Sequence, residues 1–148
     1  MGKTVRDVLQ ESQSPILALQ SEDFVFSALQ KLAKVDVGAA MVFNKEGSLV
    51  GIFSERDYAR KVELLLRPSR ETKVREVMTQ QVYVVEPDKS IEECLSLMNA
   101  EKVRHLPVVH GQEILGFISI LDVARSLIQE KSQTVLPLQS YVSKTWPF

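Results

Sequence analysis

The sequence predicts an α/β chain of the α+β type, two β-α-β-β-α repeats packed face to face as a pseudo-twofold pair, and three observations predict it. The stretch Gly51-Ile-Phe-Ser54-Glu-Arg-Asp57 recurs as Gly116-Phe-Ile-Ser119-Ile-Leu-Asp122, with glycine, serine and aspartate each displaced by 65 residues (116−51, 119−54, 122−57). Val25, Ala28, Leu29 and Leu32 match Ile91, Cys94, Leu95 and Met98, both sets at helical spacing. Each copy also holds two short apolar runs around a turn. Two copies are too few for a solenoid, which needs about three or more repeats to bury a continuous core.

The elements follow in order. Val5-Arg6-Asp7-Val8-Leu9 aligns with Val74-Arg75-Glu76-Val77-Met78 ahead of each repeat. A first strand is expected at Ile16–Leu19 and again at Val82–Val85, each followed by an amphipathic helix, with Asp88 after Pro87 as the cap of the second. Asn44-Lys-Glu-Gly47 joins strands 39–43 and 49–53, and His110-Gly111-Gln112 joins 106–109 and 114–118. The closing helix presents Tyr58, Val62, Leu65 and Leu66 on one face in the first copy, and Val123, Ala124, Leu127 and Ile128 in the second. The expected division is 1–69 for the first repeat with its linker, 70–131 for the second, and an apolar tail, 132–148, that packs on the body or on another subunit.

Composition bounds the function. With 45% hydrophobic and 25% charged residues, the chain belongs among ordinary globular proteins. A net charge of −1 argues against binding nucleic acid by broad phosphate neutralisation. Charge is uneven: from Arg56 to Arg75, seven Lys/Arg (56, 60, 61, 67, 70, 73, 75) face three acids (57, 63, 71), giving +4 and leaving −5 elsewhere. That segment reads either as a solvated face or as a phosphate-facing edge. No apolar run approaches the roughly 20 residues that span a bilayer, so a cytoplasmic protein is expected. The single cysteine, Cys94, falls on the helical apolar stripe and reads as a small buried hydrophobe.

The repeated Gly-φ-φ-Ser-x-x-Asp carries the chemistry. Ser-x-x-Asp at a helix start is a variant capping box, in which the serine oxygen accepts from the amide three residues on and the acid reaches back. Two copies in one register after Gly-φ-φ also suit a ligand site, and the readings coexist, because a helix N-terminus attracts anions. The tandem unit, each copy ending in this motif, with Arg104-His105-Leu-Pro107-Val-Val in the second, resembles a CBS-domain pair over about residues 3–130. Ser54-Glu-Arg-Asp-Tyr-Ala-Arg-Lys61 is further similar to small stand-alone bacterial proteins made of little else.

The resemblance implies a disc-shaped homodimer and a ligand containing adenosine: AMP first, with ADP, ATP, NAD(H) and S-adenosylmethionine open. An ionised aspartate only accepts, so Asp57 and Asp122 suit the ribose diol. Ser54 and Ser119 suit a phosphate oxygen, and Gly51 and Gly116 permit close approach of backbone or ligand. By resemblance the base lies among Ile16, Ala18, Val82 and Val84. Arg56, Arg60 and Lys61 in the first copy, and Arg104 and His105 in the second, are candidate phosphate partners, although His105 reads equally as a core histidine. Gly38-Ala39 stands at the first-copy equivalent of Arg104-His105, so the two sites should differ. No catalytic constellation or metal-ligand spacing is present in the sequence. The expected function is therefore regulatory, with a protein effector acted on in trans; the rival is a structural dimerisation module.

Overall fold

The computed structural model describes residues 2–12 and 15–131, the side chain of Lys131 excepted; the expectation for the apolar tail lies outside the described residues. The order is α1 (Val5–Glu11), β1 (Ala18–Gln20), α2 (Val25–Val35), β2 (Ala39–Phe43), β3 (Leu49–Ser54), α3 (Glu55–Tyr58) with a π-helical turn (Ala59–Glu63), α4 (Val74–Val77), α5 (Ile91–Glu101), β4 (His105–His110), β5 (Glu113–Ser119) and α6 (Ile120–Lys131). β1 pairs in parallel with β2, and β2 pairs antiparallel with β3 through an Asn44–Gly47 turn whose glycine has φ +82°. β4 and β5 form the matching antiparallel pair, closed by Gly111 at φ +62°. The predicted repeat and α/β class are thus observed.

The strand expected at Val82–Val85 is reduced to one parallel bridge, Val85 to Val108. The Val85 amide donates to Pro107 O at 3.0 Å and the Val109 amide to Val85 O at 2.9 Å. The next rung, toward Tyr83, would need an N–H at position 107, which proline lacks. Met41 holds the equivalent position in the first copy, where β1 forms against β2 at Ala18–Gln20 and not at Ile16–Leu19.

Two apolar cores result. Leu19, Val25, Leu32, Val42, Phe53 and Val62 are fully or almost fully buried in one. Ile91, Cys94, Met98, Leu106, Ile118 and Val123 fill the other. Burial pushes the Cys94 thiol up to about 11, as expected of an inert core residue. The short helices α1 and α4, absent from the expected β-α-β-β-α order, are exchanged between the cores. Val5 and Val8 of α1 lie in the second core, and Val74 and Val77 of α4 lie in the first. Backbone bonds fix the exchange: Val5 N to Lys89 O at 2.8 Å, Val25 N to Thr72 O at 2.8 Å and Val74 N to Asp23 O at 2.8 Å.

Two further expectations are corrected. The cap of α5 is Ser90 in place of Asp88: the Glu93 amide donates to Ser90 Oγ at 3.0 Å, while Asp88 makes an exposed ion pair with Arg6 at 3.4 Å. Three residues, Asp88, Lys89 and Ser90, separate Pro87 from the periodic run, and the Ncap is the last of them, two positions after Asp88. In the first copy, Leu65 and Leu66 do not join the apolar face. The π register adds a residue to the turn and rotates the residues after it, and the segment ends at Leu66 with φ +56°, leaving Leu64, Leu65 and Leu66 74%, 64% and 90% exposed. In the second copy Val123 is buried and Leu127 packs on the core, whereas Ile128 is exposed.

Candidate ligand clefts

Each β-to-helix junction builds one capping box. In the first, the Ser54 amide and hydroxyl donate to Asp57 Oδ2 at 3.0 and 3.1 Å, and the Asp57 amide donates to Ser54 Oγ at 3.1 Å. In the second, the Ser119 amide donates to Asp122 Oδ2 at 2.9 Å and the Asp122 amide to Ser119 Oγ at 3.1 Å. Both aspartates are buried although charged, which these bonds make tolerable. The cap is therefore real in both copies, and it consumes one carboxylate oxygen of each.

The remaining oxygens differ. Asp57 Oδ1 accepts from the Thr79 hydroxyl at 3.0 Å and pairs with Lys61 at 2.9 Å. Among the described residues, Asp122 Oδ1 has only the Ser12 hydroxyl at 3.4 Å and Arg125 at 4.0 Å, contacts at or beyond the outer limit of a good hydrogen bond.

Each motif opens into a cleft at the seam of the two repeats. The first, about 650 Å³, is bordered by Ser54, Arg56, Asp57, Arg60, Lys61 and Thr79 from its own side, and by residues 101–105 from the other. The second, about 280 Å³, is bordered by Ser119, Asp122 and Arg125, and by residues 36–39 across the seam. The first falls within, and the second at the lower edge of, the roughly 300–1,000 Å³ of small-molecule sites. Arg104 and His105 border both clefts, so they are not confined to the second as expected.

Ile16, Ala18, Val82 and Val84 are not among the bordering residues; Pro15, Gln81 and Tyr83 are. Extended chain alternates its side chains, so here the odd-numbered residues reach the cleft borders. Arg125 was missed, yet the same 65-residue displacement aligns it with Arg60 (125−60) and would have found it. The basic 56–75 segment is largely consumed internally. Arg67 pairs with Glu76 at 2.6 Å, Lys73 and Arg75 with Glu22 at 2.9 and 2.7 Å, and Arg70 lies over the Phe26 ring. Arg56 and Arg60 make no ion pair among the described residues and border the first cleft together with Lys61, which pairs with Asp57, so only residues 56–61 of the segment face a site.

His105 stacks on Phe117 with ring centroids 5.4 Å apart. Burial lowers its pKa, Asp122 opposes that by raising it, and Arg104 adds to the lowering. The ligand-free imidazole is then neutral at pH 7, and its protonated form, the one that attracts phosphate, is reached only at lower pH. Because the folded pKa lies below the unfolded value near 6.5, the associated stability is present above that value and is lost as pH falls through the folded pKa. Melting temperatures from pH 7.5 to 5 should fall more steeply for the native chain than for His105→Gln; parallel profiles would rule His105 out as the cause.

A pair of β-α-β-β-α units with a polar cleft behind each strand-to-helix cap defines the molecule as a tandem-repeat protein with two related ligand-sized clefts. The CBS domain model matches residues 5–64 and 74–129, and the chain belongs to the CBS domain family. It is 30% identical over 147 residues to the CBS domain-containing protein CBSX3, mitochondrial, of Arabidopsis thaliana, covering 94% of this chain and 71% of that one. Among solved structures it resembles a putative signal-transduction protein with CBS domains from Burkholderia ambifaria, with 38% identity, a TM-score of 0.83, and 91% and 100% of the two chains covered. The fold also matches Hypoxic Response Protein I with two coordinated zinc ions, at 24% identity and a TM-score of 0.69 over 83% and 98% of the chains. Among the described residues, no group of three or more His, Cys, Asp or Glu side chains is placed to hold a metal ion, and no helix is long and apolar enough to cross a membrane.

Proposed function

We propose that this chain is a cytoplasmic regulatory module that binds an adenosine nucleotide, AMP before ADP, ATP or NAD(H), in its two clefts and works by binding, without turnover. The observation that carries this reading is that both clefts join an acceptor carboxylate, a serine hydroxyl and at least one guanidinium across the repeat seam. These are the groups that a ribose diol and a phosphate require. S-adenosylmethionine, which lacks a phosphate, uses the guanidinium groups less well. Occupancy is passed in trans to a protein effector by a homodimer whose exposed apolar residues, Leu64 to Leu66, supply contact surface. One observation favours a purely structural role for the first motif: both oxygens of Asp57 already have partners.

The test is a thermal shift on protein stripped of copurifying nucleotide. A ligand bound only by the folded state stabilises it by about 2.7 kcal/mol at a hundredfold excess over Kd. AMP is expected to raise the melting temperature and GMP to do less. No shift with any adenosine nucleotide at millimolar concentration would leave the structural module as the better reading.

A further inference from the structure

The clefts meet at a common wall of Gly38, Arg104 and His105, the three residues that border both. Gly38 and Arg104 are repeat equivalents, 66 residues apart (104−38). Their backbones are held alike: Gly38 O accepts from the Glu55 amide at 2.9 Å and Arg104 O from the Ile120 amide at 2.8 Å. The wall is thus built symmetrically but charged on one side only, since glycine supplies no side chain. His105 does not make up the difference, stacked on Phe117 and kept neutral by burial at pH 7. The Arg104 side chain is exposed at the wall.

We propose that the two clefts share one guanidinium, Arg104, so that a phosphorylated ligand in either cleft weakens binding in the other. This rests on the nucleotide-binding reading above and adds its regulation. Turned toward the phosphate in one cleft, the single Arg104 side chain is drawn away from the other, which loses a charge-assisted hydrogen bond and about 10- to 150-fold in affinity. The module would then respond over a wide concentration range, its second site filling well after its first.

Unequal but independent clefts would also give two binding phases, so the test isolates each cleft. Arg56→Trp with Arg60→Trp crowds the first cleft and Leu121→Trp the second, all at exposed positions. Each single-cleft chain is titrated with AMP by calorimetry, with and without Arg104→Ala. Sharing requires that one single-cleft chain reproduce the tight phase of the native chain. The other must bind about 10- to 150-fold tighter than the native weak phase, and Arg104→Ala must weaken both. If the two single-cleft chains merely reproduce the two native phases, or Arg104→Ala weakens only one of them, sharing is overturned while nucleotide binding stands. Arg104→Ala in the native background must also weaken the tight phase; leaving it intact overturns sharing without recourse to the tryptophan variants. AMP binding absent from the native chain would overturn the functional reading, and this proposal with it.

Discussion

Gly51→Ala is expected to destabilise the chain by about 1–3 kcal/mol, the usual range for overpacking a closed site, whereas Gly116→Ala should lose less than about 1 kcal/mol. A Cβ on Gly51 would stand 2.6 Å from Met78 Sδ and 2.9 Å from both Met78 Cγ and the Thr79 carbonyl oxygen. The sulfur can swing away, but that carbonyl cannot. It accepts from the Ile52 amide at 3.0 Å, and the Thr79 amide donates back to Ile52 at 2.8 Å. On Gly116 the closest neighbour, at 2.6 Å, is Leu9 Cδ2, the end of a rotatable side chain. The two glycines of one motif therefore make room for the chain itself, and only one meets backbone. Thermal melts check this, each kcal/mol being worth about 2–4 °C in a chain of this size. Equal losses for the two variants would refute the distinction.

The paired aspartates should separate stability from binding. Asp57→Ala strands the Ser54 amide, the Thr79 hydroxyl and the Lys61 ammonium at once, and is expected to lose about 2–4 kcal/mol. Asp122→Ala removes a cap with two weak further contacts, the Ser12 hydroxyl and Arg125, and should lose about 1 kcal/mol. For ligand the order reverses. Asp122 Oδ1 is the freer acceptor, so discrimination of about 1–3 kcal/mol against 2′-deoxy-AMP should come chiefly from the second cleft and vanish in Asp122→Ala. Denaturant melts give the first comparison and calorimetry with AMP and its 2′-deoxy form the second. Ribose discrimination that survives Asp122→Ala would assign the diol elsewhere.

The legible part of this molecule was whatever the repeat register encodes. Ser54, Asp57, Ser119 and Asp122 were found because the same local chemistry, a capped helix after a glycine strand, is written twice. The turns at Gly47 and Gly111 were legible for a similar reason, since each needs a positive φ that glycine supplies without strain. The hidden part depended on comparison across the seam. Nothing local to Arg104 says that it borders two clefts, and nothing in Ala59–Glu63 announces the π register that turns Leu65 and Leu66 outward. The loss of a strand at Val82–Val85 lies between these cases. Its cause, Pro107, was visible, but the rung it removes belongs to another segment.

The exchange of α1 and α4 means that the unit of sequence and the unit of folding are not the same. A sequence repeat runs 5–64 or 74–129, yet neither contains the two valines that complete its own core. Severing the connection at 67–72 would therefore not release two small folded proteins. Each fragment would carry a short helix shaped for its sibling and a gap where the sibling's helix belongs. The chain should unfold in one cooperative step despite its two cores, because opening either one withdraws support from the other.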